Sequence, residues 1–202
     1  LELATLLFRL QSYSEAVPHL RILVREQPLI HNTRKMLGLS LFQRGDHINA
    51  ARHLKYLSAI DPNDALAKFW FGNVLIRLER AGEAEQLFRE ALRLQPRSLL
   101  IINGLAWLLA THTEARIHKP HEALKLAEQA AILSGHREPR VLDTLAAAQA
   151  ATGDFAAAVK TIGTAISLAQ AAKDQVMTRQ LQARQQNYIE ERPYREGFPA
   201  SG

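Results

Sequence analysis

Apolar residues recur along the chain in two-part units that repeat every 34 residues. In residues 31–64, and again in 65–98, a first segment carries apolar residues at i, i+1 and i+4, the spacing of one face of a helix. A polar break follows, and a second apolar-periodic segment runs up to a proline, which cannot continue a helix interior. The closing prolines are Pro28, Pro62 and Pro96. The pattern predicts a stack of helix hairpins.

Small residues occupy matching positions in the two helices of each predicted hairpin. Gly38 and Gly72 lie on the first helix, and Ala50 and Ala84 lie on the second. Small side chains let two antiparallel helices approach closely, and a large residue such as Phe88 then fills the space beside them. Because one hairpin cannot bury its apolar face alone, we expect neighbouring hairpins to stack on it.

The whole pattern resembles the tetratricopeptide repeat (TPR) family. The resemblance is carried by a large-small pair and an alanine thirteen residues after the large residue: Leu37-Gly38 with Ala50, and Phe71-Gly72 with Ala84. The family's usual Trp and Tyr positions are filled differently here, by Arg34, Lys68, Leu41 and Leu75. The resemblance implies an all-α fold, a right-handed α-solenoid of stacked antiparallel helix hairpins with a C-terminal capping helix.

The same pattern extends over about residues 1–171 as an array of about five repeats. The expected repeats are a truncated one at 1–30, then 31–64, 65–98, 99–138 and 139–171. The fourth is longer, because five extra residues lie in the turn around Thr111 to His121. We expect residues 172–192 to form a capping helix with a polar outer face. Residues 193–202 contain two prolines and two glycines and are expected to form a flexible tail.

The C-terminal part is similar to a repeat pair found in bacterial TPR proteins. It carries LAWLLAT at 105–111 and LDTLAAA at 142–148, and it ends with Arg-Pro-Tyr-Arg-Glu at 192–196, as such arrays often do. The resemblance implies a bacterial source. Since the chain starts within a repeat, we expect it to be part of a longer protein, whose sequence before Leu1 sets a cytoplasmic or periplasmic location.

Composition argues against several classes of function. The net charge is +5, and residues 1–60 hold eight Lys or Arg against four Asp or Glu, but basic residues are not interleaved with aromatics, so we predict no nucleic-acid binding. Apolar stretches stay well below the roughly 20 residues of a membrane span. The sequence has no cysteine and lacks phosphate-loop, dinucleotide-binding and zinc-protease motifs. We therefore predict neither an enzyme nor a cofactor.

By resemblance, the functional residues lie on the concave face, which the first helix of each repeat lines. This implies a non-catalytic protein-interaction scaffold that binds an extended peptide or a helix in that groove. Aromatic rings there supply burial, amides pair with peptide backbone and cations bind carboxylates. The predicted contacts are Lys35, Phe42, Phe69, Asn73, Arg77, Asn103 and Trp107, and the fifth repeat adds Arg140 and Asp143. Alternatively, Phe69 and Trp107 fill gaps between neighbouring first helices.

Two further alternatives stay open at this point, and a metal site is considered beside them. The chain could be the substrate-positioning TPR domain of a larger, membrane-attached bacterial transferase. It could form a homodimer through exposed repeat ends. The long turn contains His112, His118 and His121, and histidines can bind zinc or nickel. Pro120 argues against a regular helix that would bring them together, so we predict no metal site.

Overall fold

The computed structural model describes residues 1–196, which form eleven α-helices and no β-strand. These helices belong to two compact units, Leu1–Gln95 and Pro96–Gly202. We call them unit 1 and unit 2. No helix in the described range is both long enough and apolar enough to span a bilayer.

Unit 1 consists of three helix hairpins. Its helices are α1 (Glu2–Arg9), α2 (Tyr13–Glu26), α3 (His31–Gln43), α4 (His47–Ile60), α5 (Ala65–Arg77) and α6 (Ala81–Leu94). Each helix packs against the next, and α3 also packs against α1 and α5. The first helices of successive hairpins are therefore neighbours. Fully buried leucines, Leu20, Leu37 and Leu54, form the centre of the core.

The turns inside these hairpins repeat with the same period as the sequence. Gln11, Gly45 and Glu79 have positive φ angles of 59°, 79° and 59° and follow one another at intervals of 34 residues. At each turn the next residue donates its N–H to a carbonyl of the preceding helix, as Asp46 does to Leu41 at 2.9 Å. This geometry ends a helix in the left-handed conformation and satisfies a carbonyl that would otherwise lack a partner.

Close contact between α5 and α6 depends on Gly72. A Cβ atom built there would lie 2.6 Å from Cε1 of Phe88, and one built on Gly38 would lie 2.9 Å from Cγ of Leu54. Both distances are shorter than non-bonded carbon atoms allow. The Phe88 ring is 1% exposed and stacks on Phe69 with ring centroids 5.0 Å apart. This agrees with the predicted role of the small residues.

Unit 2 contains the remaining five helices. They are α7 (Leu99–Thr111), α8 (Pro120–Leu133), α9 (Pro139–Ala151), α10 (Phe155–Ala171) and α11 (Gln175–Ile189). Each packs against the next, and α7 also packs against α9. The last helix, α11, buries Leu181 and Tyr188 against this core. The longer turn between α7 and α8 is held in place by Ile117, which is 2% exposed.

The chain after α11 returns to the end of α7. Glu196 donates its backbone N–H to the carbonyl of Thr111 at 2.9 Å, and Glu196 and His112 form an isolated parallel bridge. Tyr194, Arg195 and Glu196 thus contact unit 2, and the flexibility of residues 193–196 stays a prediction. The rest of that prediction, residues 197–202, lies outside the described residues.

Candidate functional site

Three helices of unit 2 each contribute one side chain to a small aromatic and charged surface. The side chains are Trp107 of α7, Asp143 of α9 and Arg184 of α11, and we call this the Trp107 surface. Nη1 of Arg184 donates to Oδ2 of Asp143 at 2.8 Å. The Arg184 guanidinium also lies 5.1 Å from the centroid of the Trp107 ring, within the range of a cation–π contact. The ion pair and the ring hold Arg184 in place.

Asp143 is the buried member of this surface. The side chains of Asp143 and Arg184 are 8% and 16% exposed. Burial raises the pKa of Asp143 to about 6, although the nearby Arg184 acts in the opposite direction. At neutral pH the carboxylate is mostly ionised and paired. Since a buried charge without its partner is costly, neither residue can be removed cheaply.

The segment 193–196, which we call the tail, lies on the Trp107 surface. The ring of Tyr194 lies 5.8 Å from that of Trp107, and 4.9 Å from the Arg184 guanidinium. Arg184 therefore contacts an aromatic ring of α7 and one of the tail at the same time. The Tyr194 side chain is half-buried as a result and packs against the edge of the unit 2 core.

Glu196 binds α7 through both its side chain and its backbone. Nε1 of Trp107 donates to Oε2 of Glu196 at 2.6 Å, a short bond to a charged acceptor. The backbone N–H of Glu196 bonds to the Thr111 carbonyl. Thr111 is the last residue of α7, where helix carbonyls lack partners within the helix. The tail thus uses an acceptor that the helix itself leaves open.

Arg195 connects the tail to the long turn between α7 and α8. Its Nη1 donates to the Ala110 carbonyl at 3.2 Å and lies 2.7 Å and 2.8 Å from Nδ1 and Nε2 of His118. Nδ1 of His118 lies 3.0 Å from the Leu109 carbonyl, which is consistent with donation from that nitrogen. Burial and the positive charge of Arg195 lower the pKa of His118. A neutral His118 ring therefore places no second positive charge beside the Arg195 guanidinium.

The other histidines of the long turn have separate surroundings. Nδ1 of His112 accepts from the backbone N–H of Glu114 at 3.1 Å. Within residues 1–196 there is no group of three or more His, Cys, Asp or Glu side chains placed to hold a metal ion. What the turn does contribute is the His118 contact with the tail.

Five of the residues predicted to contact a peptide belong to unit 1. Nζ of Lys35 forms an ion pair with Asp64 at 2.7 Å, which links α3 to the residue before α5. Phe42 is half-buried, with its ring 5.6 Å from that of His47. Both side chains remain partly accessible on the first helix of their hairpin.

The α5 residues differ in accessibility. Phe69 is 3% exposed and packs against Phe88 and Trp70, so it is a core residue and its ring is not offered to a ligand. This corrects its placement among the groove contacts. Asn73 is half-buried and donates to the Phe69 carbonyl at 2.9 Å, and Arg77 is exposed.

The other two predicted residues belong to α7 in unit 2. Asn103 is half-buried, and its Oδ1 is buried with no hydrogen-bond partner among the described residues. Trp107, one turn further along, is half-buried beneath the tail. Among the predicted residues, Trp107 is the one that contacts the tail within the part of the chain that the structure describes.

Comparison with known sequences identifies the repeats. Two sequence profiles described as tetratricopeptide repeat match the chain, one over residues 1–65 and the other over residues 41–110. Together they cover residues 1–110, more than half of the chain. The chain belongs to the tetratricopeptide repeat family. No curated protein matches the sequence.

Solved structures show the same TPR fold. A thermophilic TPR protein of Thermus thermophilus has a TM-score of 0.72 at 19% identity, covering 94% of this chain and 97% of that one. MamA from Desulfovibrio magneticus RS-1 has a TM-score of 0.66 at 15% identity, covering 84% of this chain and 93% of that one. A chain of the APC/C hetero-tetramer Cut9–Hcn1 has a TM-score of 0.69 at 17% identity, and the match covers 83% of this chain and 31% of that one. These identities show the fold alone, and they confirm the predicted fold class of a TPR solenoid.

Some of the residues at the Trp107 surface were missed by sequence analysis. The TPR pattern pointed to Trp107 and Asp143, because both lie on first helices. No sequence pattern points to Arg184, since it lies among the many polar residues of α11 and its partner Asp143 is 41 residues away. Tyr194 and Glu196 belong to a recognisable ending of bacterial arrays, and that ending was the one available sign that the tail has a defined place.

Proposed function

We propose that this TPR protein is a non-catalytic protein–protein interaction scaffold that binds an extended peptide on its first helices. The family and the fold indicate interaction with proteins as the general function. The observation that supports peptide binding in particular is the tail itself. A non-helical piece of chain lies on the Trp107 surface and makes contacts that any peptide with suitable side chains could make.

These contacts are of three kinds. Tyr194 supplies aromatic burial against Trp107, Glu196 supplies a carboxylate for the indole N–H, and the Glu196 backbone uses the open carbonyl of Thr111. Backbone contacts give affinity that is independent of sequence, and side-chain contacts add specificity. The aromatic and arginine residues at the centre are the types that most often dominate binding energy.

In unit 1 we propose contacts from the accessible first-helix residues. These are Lys35, Phe42, Asn73 and Arg77, with Asn103 as a further candidate in unit 2. Phe69 is left out because its ring is buried. In the Cut9–Hcn1 hetero-tetramer a chain of the same fold assembles with other chains, which supports a partner of the same class here.

A peptide array tests the proposal directly. The wild-type chain and the variants Trp107→Ala and Asn73→Ala are probed against the same set of extended peptides. Lys160→Ala is the matched control, since Lys160 is exposed on α10, a second helix. We expect Trp107→Ala to weaken at least one class of peptide about tenfold or more, in line with an aromatic hot spot. Unchanged binding of every peptide by both variants would contradict the proposal.

Homodimer formation through exposed repeat ends stays a prediction. It concerns α1 and its end, where Leu3, Leu6 and Leu10 are 54%, 52% and 64% exposed. Light scattering over a range of protein concentrations measures it, and replacement of Leu6 by Ser should lower the dimer fraction.

A further inference from the structure

We infer that the tail is an intramolecular ligand of the Trp107 surface, and that the partner segment which displaces it carries an aromatic residue followed two positions later by an acidic one. This inference rests on the proposed function, because it names the partner class of the same surface. It also gives the C-terminal segment a role as a competitor.

The spacing of the recognised side chains comes from the tail. In extended chain, side chains two positions apart point to the same side, roughly 7 Å apart. Tyr194 and Glu196 are two positions apart, and both side chains reach Trp107, one through the ring and the other through Nε1. Trp107 therefore contacts the side chains at both the aromatic and the acidic position. Arg184 adds a positive charge beside the aromatic position.

The residue between these two positions has a weaker constraint. Arg195 is exposed, and its guanidinium contacts the long turn through Ala110 and His118. Its charge can be replaced by any donor that reaches the Ala110 carbonyl. The motif is therefore aromatic, variable, acidic.

The tail can leave without opening α11. Glu191 has a positive φ of 53° and donates its N–H to Tyr188 at 3.1 Å, and Arg192 donates its N–H to Asn187 at 2.9 Å. This pair of bonds closes the C-terminus of the helix. Because the helix end is complete at Arg192, residues from Pro193 onwards are not needed to hold α11.

Tethering makes the tail a strong competitor although its contacts are few. A ligand joined by a short connection acts at an effective concentration of about a millimolar or more. An external segment with the same contacts must overcome that advantage. Removing residues 193–202 should therefore lower the concentration of peptide needed for half-saturation about tenfold or more.

The two tryptophans allow this to be measured by nuclear magnetic resonance. The chain contains Trp70 in unit 1 and Trp107 in unit 2, so a ¹⁵N-labelled sample gives two indole N–H signals, which Trp70→Phe assigns. The probe is the blocked peptide Arg-Pro-Tyr-Arg-Glu, the sequence of residues 192–196. It is titrated into the full chain and into a chain ending at Arg192.

We expect truncation to move the Trp107 signal and the peptide to return it towards its position in the full chain, while the Trp70 signal stays. Peptides with Tyr→Ala or Glu→Gln should need at least about tenfold higher concentration to give a half-maximal shift of the Trp107 signal. Each substitution removes one of the two contacts with Trp107. The full chain should respond to the unaltered peptide only at about tenfold higher concentration. Full-length Tyr194→Ala provides a second route to an uncovered Trp107 if the truncated chain loses helix content.

Two results of the magnetic resonance titration would overturn the inference. One is a Trp107 signal that neither truncation nor Tyr194→Ala moves, and the other is a truncated chain that does not respond to the peptide. If array peptides without an aromatic-variable-acidic motif still bind in a Trp107-dependent way, the inference fails and the proposed function stands. If no peptide depends on Trp107 but some depend on Asn73, the inference fails and the proposed function stands, and if neither variant changes the binding of any peptide, both fail.

Discussion

The first helices of the two units differ in what covers them. In unit 1, α5 presents Asn73 and Arg77, and Lys35 of α3 pairs with Asp64 close by. In unit 2, α7 presents Trp107, and the tail lies over it. Both units build their cores from the same kind of helix hairpin. The difference therefore comes from the parts of unit 2 that depart from the repeat, the long turn and the tail.

This comparison separates two tasks within one fold. Regular hairpins supply stability through close helix contacts such as the one between Gly72 and Phe88. Irregular segments supply the polar and aromatic contacts around Trp107. Substitutions in the first group should change the free energy of unfolding, and those in the second should mainly change what lies on the surface.

The largest expected effect is the loss of the Phe88 ring. Phe88→Ala removes a fully buried aromatic side chain between α5 and α6 and leaves a cavity, which costs about 3–5 kcal/mol of unfolding free energy. Urea denaturation followed by circular dichroism measures it. Phe42→Ala is the matched control, because this ring is only half-buried and its loss should cost less than half as much. Equal losses would contradict the account of the core.

Next in size is the loss of close approach at Gly72. Gly72→Ala places a methyl group against the Phe88 ring and should cost about 1–3 kcal/mol through overpacking. Gly38→Ala should cost less, since the flexible Leu54 side chain can move away. The control lies in unit 2: a Cβ on Gly163 of α10 would meet its nearest neighbour, Nε2 of Gln185, at 3.7 Å, which is ordinary contact. Gly163→Ala should therefore be neutral or stabilise by up to about 1 kcal/mol.

A pH effect should distinguish Asp143 from the exposed carboxylates. Burial raises its pKa to about 6, so the folded protein holds this proton more tightly than the unfolded chain does. The contribution of Asp143 to stability is full below the unfolded pKa, near 4, and is lost as the pH rises through 6. The charges around it are Arg184, Arg140 and Glu196.

Wild type and Asp143→Asn should accordingly differ in pH dependence. Between pH 4 and pH 8 the wild-type unfolding free energy should fall by about 2 kcal/mol more than that of the variant, because only the wild type carries this proton. Urea denaturation at both pH values measures the difference. Parallel pH profiles of the two proteins would show that Asp143 titrates normally.

The smallest expected effect concerns the tail alone. Glu196→Gln weakens the bond from Trp107 Nε1 by about 1 kcal/mol, because a neutral amide replaces a charged acceptor. The tail should then open about five times more often. Trypsin cleavage after Arg195 reports this opening, since proteolysis follows the open population when opening is fast. Glu128→Gln is the control, because Glu128 is exposed on α8, far along the chain from the tail. Equal cleavage rates for Glu196→Gln and the control would contradict the claim that the Glu196 carboxylate holds the tail on Trp107.

The hairpins could be predicted from sequence because their determinants are local. The period of Leu37-Gly38 and Phe71-Gly72 fixes which helix faces meet, and neighbouring hairpins supply the rest of the core. Phe69 was harder to place, since an aromatic residue on a first helix can face either a ligand or the next helix. Here the stack on Phe88 decides for the core.

The Trp107 surface could be predicted only in part, because its contacts join distant positions. Trp107 bonds to Glu196, 89 residues further along, and no local periodicity connects them. The prolines and glycines in and after the tail predict disorder when composition alone is considered. The side chains of Tyr194 and Glu196 outweigh that preference once α7, α9 and α11 stand side by side.

The most direct test of the difference between the units is quenching of tryptophan fluorescence by acrylamide. In Trp70→Phe only Trp107 emits, and in Trp107→Phe only Trp70 emits. Each is compared in the full chain and in the chain ending at Arg192. We expect truncation to raise the quenching of Trp107 and to leave that of Trp70 unchanged. If truncation leaves Trp107 equally protected, the tail does not cover it and the central claim is wrong.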